Sequence, residues 1–151
     1  MRDLPEMISS AGNPAVKRLR SLDRKKGRRE HGVFLAEGAR LVSEGLDNGW
    51  EIDTVVFGAE ALEAEHTHAL IERAIAAGAR PAFLNARLLG QVAKKENPQT
   101  VLGAFRPLDQ SGNQAKLTRD NQGTWLALYR VRDPGNLGTI IRTADFAGVN
   151  G

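Results

Sequence analysis

No cysteine occurs among the 151 residues, so disulfides, a thiol nucleophile and a cysteine-ligated zinc site are excluded, and packing alone must hold the core. Aromatic residues are scarce, at 5%. None lies in the most basic stretch of the chain, which therefore offers no platform for stacked bases. No apolar run approaches the ~20 residues that cross a bilayer. The opening Met1-Arg2-Asp3-Leu4-Pro5-Glu6 has no apolar core behind its charges, as a secretory signal would. A soluble globular protein is the expectation, with the cytoplasm as its location and no membrane partner. His66 and His68 stand two apart with no third ligand nearby, so they read as surface histidines and no metal is expected.

What is present is charge, unevenly placed. The chain carries a formal +3. Between residues 16 and 30, Lys17, Arg18, Arg20, Arg24, Lys25, Lys26, Arg28 and Arg29 face only Asp23 and Glu30, a local +6 against −3 for the remainder. A basic segment on a mildly acidic body is the footprint of a phosphate-backbone binder, although a solvated helix face fits the same count. Val16, Leu19 and Leu22 at i, i+3 and i+6 predict that the segment is helical and docks on one side. Ser10 or Asn13 can cap it, with Pro14 in its first turn.

Beyond this arm the hydrophobic period switches repeatedly. Val33–Ala36 predicts a strand, Ala39, Val42 and Leu46 a helix, and Ile52–Phe57 a second strand. Leu70, Ile71, Ala74 and Ile75 mark a helix, Pro81–Leu84 a third strand, Leu88, Leu89 and Val92 a helix capped by Asn85, and Val101–Phe105 a fourth strand. Such alternation predicts an α/β domain with a mostly parallel sheet between helices, since parallel neighbours need crossovers. The organisation read from the chain is a basic helical arm over 1–32, an α/β domain over 33–107, a polar connector over 108–123, and a strand (Trp125–Val131) and helix (Leu137–Ala147) within 124–151. A lone strand and helix cannot enclose a core, so that last part is expected to be an incomplete domain. Trp125 and Phe146 are read as core residues, and Lys94, Lys95 and Asn97 as a solvated loop.

The turn before the last helix is the most distinctive stretch: Asp133-Pro134-Gly135-Asn136-Leu137-Gly138-Thr139-Ile140-Ile141-Arg142-Thr143-Ala144. Pro134 and Gly135 make a sharp turn, Asn136 can cap the helix, and Gly138 permits another backbone to approach. Helix amino termini at the carboxyl ends of strands collect phosphates, and the long arm of Arg142 can reach back to one. Spacing alone fits equally a capped helix with a surface arginine. The segment has neither the Gly-Lys-Ser/Thr of a phosphate loop nor the third glycine of a dinucleotide fingerprint, and no nucleophile, histidine and carboxylate arrangement lies near it.

Asp133-Pro134-x-Asn136-x-Gly138-x-x-x-Arg142-x-Ala144, closing with Gly148, resembles the first signature motif of SpoU-type methyltransferases, the TrmH branch of the SPOUT superfamily. Upstream, Ile8-Ser9-Ser10, Asn13-Pro14-x-Val16-Lys17, the basic helix and Phe34-Leu35-x-Glu37-Gly38-x-Arg40-Leu41 are similar to the substrate-binding domain that precedes SpoU catalytic domains. The resemblance covers nearly the whole chain. It implies a three-layer α/β/α substrate-binding domain similar to kink-turn-binding ribosomal proteins, then the truncated start of a SPOUT knotted α/β domain. It implies S-adenosylmethionine-dependent methylation of ribose 2′-hydroxyls in structured RNA, most often ribosomal RNA, with Asn136 and Arg142 at matched active-site positions. Glu37 and Arg40 fall where the resembling domains contact RNA, and fit a local turn and surface ion pair equally well. The second and third motifs, which build the methyl-donor pocket, have no counterpart here, so no cofactor-binding residue is assigned and the isolated chain is expected to bind RNA without methylating it. The family's dimer interface belongs to the knotted domain, so the parent is expected to pair and this chain to stay monomeric. The rival reading is a non-enzymatic RNA-binding module similar to kink-turn ribosomal proteins.

Overall fold

Strand β2 (Ile52–Phe57) is apolar on both sides, which demands cover on both faces of its sheet. The computed structural model, which describes residues 5–107 and 123–149, supplies that cover. On one face α1 (Pro14–Ser21) and α6 (Ala86–Ala93) bury Val16, Leu19, Leu88 and Val92 against Val56, Leu102 and Ala104. On the other, α3 (Ala39–Asp47) and α5 (Glu65–Ala76) bury Val42, Leu70, Ile71 and Ala74 against Val55, Phe57, Val101 and Phe105. From Val55 onward in β2, and throughout β4 (Val101–Phe105), odd and even residues thus go to opposite layers, as the two-residue period of a strand requires, while a register shift between Ile52 and Thr54 puts Ile52 in the layer of Val55 and Phe57. The result is the expected three-layer α/β/α arrangement. Two short helices, α2 (Lys25–His31) and α4 (Glu60–Glu63), complete the amino-terminal unit with β1 (Phe34–Glu37) and β3 (Arg80–Phe83).

The sheet runs in the order β1-β4-β2-β3. Here the expectation of a mostly parallel sheet is corrected. β2 and β3 pair in parallel, but β4 is antiparallel to both β1 and β2. Strands β1, β2 and β3 do share one direction, as their helical crossovers dictate. β4 enters last and inverted, inserting between β1 and β2, where all five of its residues are buried. Ile8 adds one parallel bridge to Leu84 beyond β3.

The amino-terminal arm docks on the side that Val16, Leu19 and Leu22 mark. Val16, Leu19 and Leu22 are at most 2% exposed and belong to the same core as the sheet. The basic run forms two helices, broken at residues 22–24, because α1 and α2 fold against each other at Gly27. A Cβ there would lie 2.1 Å from the Ser21 carbonyl oxygen, so only hydrogen fits. Gly27→Ala is expected to destabilise the unit by about 1–3 kcal/mol, the usual cost of overpacking. Thermal melting checks it; a midpoint within a degree of wild type would show that the two helices separate freely.

By their contacts the chain divides into two units, Met1–Leu108 and Asp109–Gly151. In the second, α7 (Pro134–Phe146) forms as the period predicts. The strand expected over Trp125–Val131 does not: residues 124–129 have no regular structure, and every residue from 123 to 137 is exposed. Trp125 (37%) and Phe146 (95%) are exposed rather than core. A strand needs a neighbouring ladder and a core needs a second layer, and neither exists among the described residues of this unit. Most of the connector expected over 108–123 lies outside the described residues.

Candidate RNA interface and catalytic turn

The expected basic residues separate by how they are held. Lys17, Arg20, Arg24, Lys25, Lys26 and Arg29 are exposed. No ion pair involves them among the described residues. Arg24 precedes α2 with no side-chain cap, and Lys25 and Lys26 open that helix. Cations at the positive end of a helix dipole cost a few tenths to ~1 kcal/mol each, so this placement works against local stability. Arg18 and Arg28 are engaged with the fold. Arg28 Nη1 donates to the carbonyls of Leu22 and Asp23 at 2.9 and 2.7 Å, closing the end of α1. Arg18 Nη1 reaches Asp53 Oδ2 at 2.7 Å.

Asp53 was not singled out by the sequence, yet it organises the densest ionic cluster of the unit. Arg80 Nη2 contacts both of its oxygens at 2.8 Å, Thr54 Oγ1 donates to it at 2.7 Å, and Arg106 Nη2 lies 3.9 Å away. Its side chain is 7% exposed. Burial by itself raises the carboxyl pKa; hydrogen bonds from Arg18, Thr54 and Arg80, and the charge of Arg18, outweigh it and hold the group well below the usual carboxylate range.

Glu37 and Arg40 lie at the opposite end of the sheet. Glu37 Oε1 accepts from the Gln99 amide at 3.2 Å and Oε2 meets Lys95 Nζ at 2.8 Å, fastening the 94–100 loop to β1. Lys94 takes a left-handed backbone and pairs with Asp23, whose carboxyl the Lys94 hydrogen bond holds below its ordinary value. The loop read as plainly solvated is therefore pinned by two ion pairs. Gly38, at φ 105, makes the turn from β1 into α3, and Arg40 is 89% exposed with its Nε on Glu44 Oε1 at 3.0 Å. A crevice of about 600 Å³ opens at the same end, lined by Gly58, Glu60, Asn85, Asn97, Pro98 and Thr100 among others.

In the second unit the cap differs from expectation. Asp133, not Asn136, caps α7: its Oδ1 accepts from the Asn136 amide at 2.6 Å, with Pro134 in the first turn. Asn136 is the third helical residue, and its exposed side chain is not used as a cap. Arg142 lies six residues on, roughly 9 Å along the axis and about 120° around it from Asn136. Its Nη2 donates to Thr139 Oγ1 at 3.3 Å, and Nη1 lies 3.3 Å from where a Gly138 Cβ would be. The guanidinium thus folds back one turn toward the helix start, over a position kept bare by glycine.

The amino-terminal unit can be placed. A family model for the MRM3-like substrate binding domain matches residues 13–103. The chain belongs to that family. As an MRM3-like substrate-binding domain with a following segment, it is 34% identical over 144 residues to an uncharacterized tRNA/rRNA methyltransferase of Synechocystis sp., covering 95% of this chain and 50% of that protein. It is 31% identical over 145 residues to the 23S rRNA (guanosine(2553)-2′-O)-methyltransferase of Bacillus subtilis, covering 96% and 52%. Among solved structures it resembles the AdoMet-bound rRNA methyltransferase from Sinorhizobium meliloti, at 37% identity and a TM-score of 0.79, covering 97% of this chain and 52% of that one. The chain spans about half the length of the curated relatives it matches. The resemblance to SpoU methyltransferases read from the motif is borne out by these relatives.

Proposed function

We propose that this chain is the RNA-recognition part, with the opening of the catalytic part, of an RNA 2′-O-ribose methyltransferase that uses S-adenosylmethionine and acts on ribosomal RNA. The observation that carries the reading is the match of residues 13–103 to a substrate-binding domain, followed in the same chain by an Asp133-capped helix bearing Asn136 and Arg142. Relatives that are named methyltransferases favour this over a purely binding module. None of the described residues between 123 and 149 is buried. What they supply is a helix start and a permanent cation. A ribose hydroxyl must lose its proton as it attacks, and arginine, with a pKa above ~12, does not take it; Arg142 holds the ribose and its phosphate in place and offsets negative charge there. Incubating the whole protein with ribosomal RNA and S-adenosylmethionine labelled in its methyl group should place label on a ribose 2′-oxygen. Label confined to bases would reject the reading.

RNA binding by the first unit rests on Lys17, Arg20, Arg24, Lys25, Lys26 and Arg29, the exposed cations of the basic segment that no ion pair holds among the described residues. Neutralising Arg24, Lys25, Lys26 and Arg29 together is expected to lower the slope of log affinity against log salt by roughly 3, at about 0.7–0.9 per phosphate contact. Titrating RNA at several salt concentrations measures it, and an unchanged slope removes these helices from the interface.

A further inference from the structure

Three guanidinium groups converge on Asp53 from separate elements: Arg18 from α1, Arg80 from the start of β3 and Arg106 from just beyond β4. One carboxylate neutralises one guanidinium. Glu51 Oε1 meets Arg106 Nε at 2.6 Å and accounts for a second. One positive charge is left over, and no further carboxylate lies within 4.0 Å of the three among the described residues. Structural ion pairing does not require a third arginine, and like charges gathered on one anion repel.

The donors left over face water. Arg80 touches Asp53 through Nη2 alone and its side chain is 66% exposed; Arg106 is 48% exposed, whereas Arg18 is 23%. Among the described residues nothing accepts from Nε and Nη1 of Arg80 or from Nη1 of Arg106, which leaves them for an outside acceptor. Planar forks held in fixed geometry match the paired oxygens of a phosphodiester, and an anchoring carboxylate removes the rotamer freedom that binding would otherwise have to freeze. The cluster sits at the sheet end opposite Glu37 and Arg40, where β4 finishes and the chain leaves this unit through Pro107.

We propose that Asp53 organises Arg18, Arg80 and Arg106 into a clamp for one backbone phosphate of the RNA, a contact separate from the basic helices and from the Glu37 end of the sheet. The proposal rests on the RNA-binding reading above. Arg18, the least exposed of the three, is the strut, and Arg80 and Arg106 are the two groups that touch the phosphate.

The full chain is titrated into a fluorescein-labelled RNA stem-loop across a salt series, as wild type, as Arg80→Gln/Arg106→Gln, and as Lys25→Gln/Lys26→Gln/Arg29→Gln. The clamp predicts that the double variant melts near wild type, binds about 10-fold more weakly at low salt, and shows a salt slope lower by about 0.7–0.9, the loss of one phosphate contact. Arg80→Lys/Arg106→Lys should recover the slope but not the full affinity, because lysine keeps the charge and loses the fork. A double variant with wild-type affinity and slope overturns the clamp, and if the triple variant still loses slope the RNA-binding reading survives. A wild-type chain that ignores the RNA overturns both. Inorganic phosphate at matched ionic strength is the control: if phosphate binds wild type but not the double variant while both bind RNA with the same affinity and slope, the site belongs to the free ion and the RNA assignment fails.

Discussion

Arg142→Ala in the whole protein is expected to reduce kcat of the proposed methyl transfer by about 10²–10³-fold, the range measured when one charge-stabilising donor is removed from an active site. The argument is local. The guanidinium is laid along the helix by its bond to Thr139 Oγ1 and by the bare Gly138, so its charge is directed one turn back toward the helix start. Alanine removes both the charge and the reach. Arg142→Lys separates the two, restoring charge at a shorter and less directional donor, and should recover part of the rate. Single-turnover methyl transfer at saturating RNA tests this directly. A rate within twofold of wild type would show that Arg142 serves neither as a positioning nor as an electrostatic group.

Asp53→Ala is expected to destabilise the first unit by about 3 kcal/mol, the low end of the cost of breaking a buried ion pair. The low end applies because Arg80 and Arg106 are half-exposed and can turn to water, leaving Arg18 as the guanidinium that loses most. For a unit of this size that corresponds to a drop in Tm of roughly 12 °C or more. The acid dependence has a defined sign. Because the folded pKa of Asp53 is depressed, its contribution is complete above the unfolded value near ~3.9 and is lost as pH falls below that toward the folded value. Wild type should therefore lose stability more steeply than Asp53→Asn between about pH 4 and pH 2. Urea melts at stepped pH measure the difference, and parallel curves for the two proteins would show that the carboxylate carries no folding energy.

Why Asp53 went unread is instructive. In Ile52-Asp53-Thr54-Val55-Val56-Phe57 it is one polar residue in a β-branched run, and a strand of that composition is legible whatever Asp53 does. Its meaning lies in Arg18 and Arg80, 35 and 27 residues away in the chain, and periodicity does not encode contacts at that distance. The same limit explains the sheet. The boundaries of β2 and β4, the Asn85 cap of α6 and the two buried faces follow from local pattern, since each is a property of a short window. The direction in which β4 enters depends on where the chain turns after α6, and that is set by the assembled layers. The cap of α7 was a nearer miss. Asp before Pro at the first helical position is the usual order, and Asp133-Pro134 carries that signal. Within the basic segment, composition does not distinguish Arg18 and Arg28, whose guanidinium groups brace the fold, from the six that no ion pair holds among the described residues.

The position of β4 bears on how this unit is born. Its first and second strands are never neighbours; each waits for the strand between them, the last one the ribosome delivers. Until residue 105 has emerged, β1 has no ladder to join and both apolar layers lack their central rib, so a nascent or prematurely stopped chain ending before Val101 carries Phe34, Val55 and Phe57 without their shelter. Acquisition of structure is thereby gated by the completion of one five-residue segment, and nonsense or frameshift changes upstream of it are expected to yield products for proteolysis rather than shorter working domains.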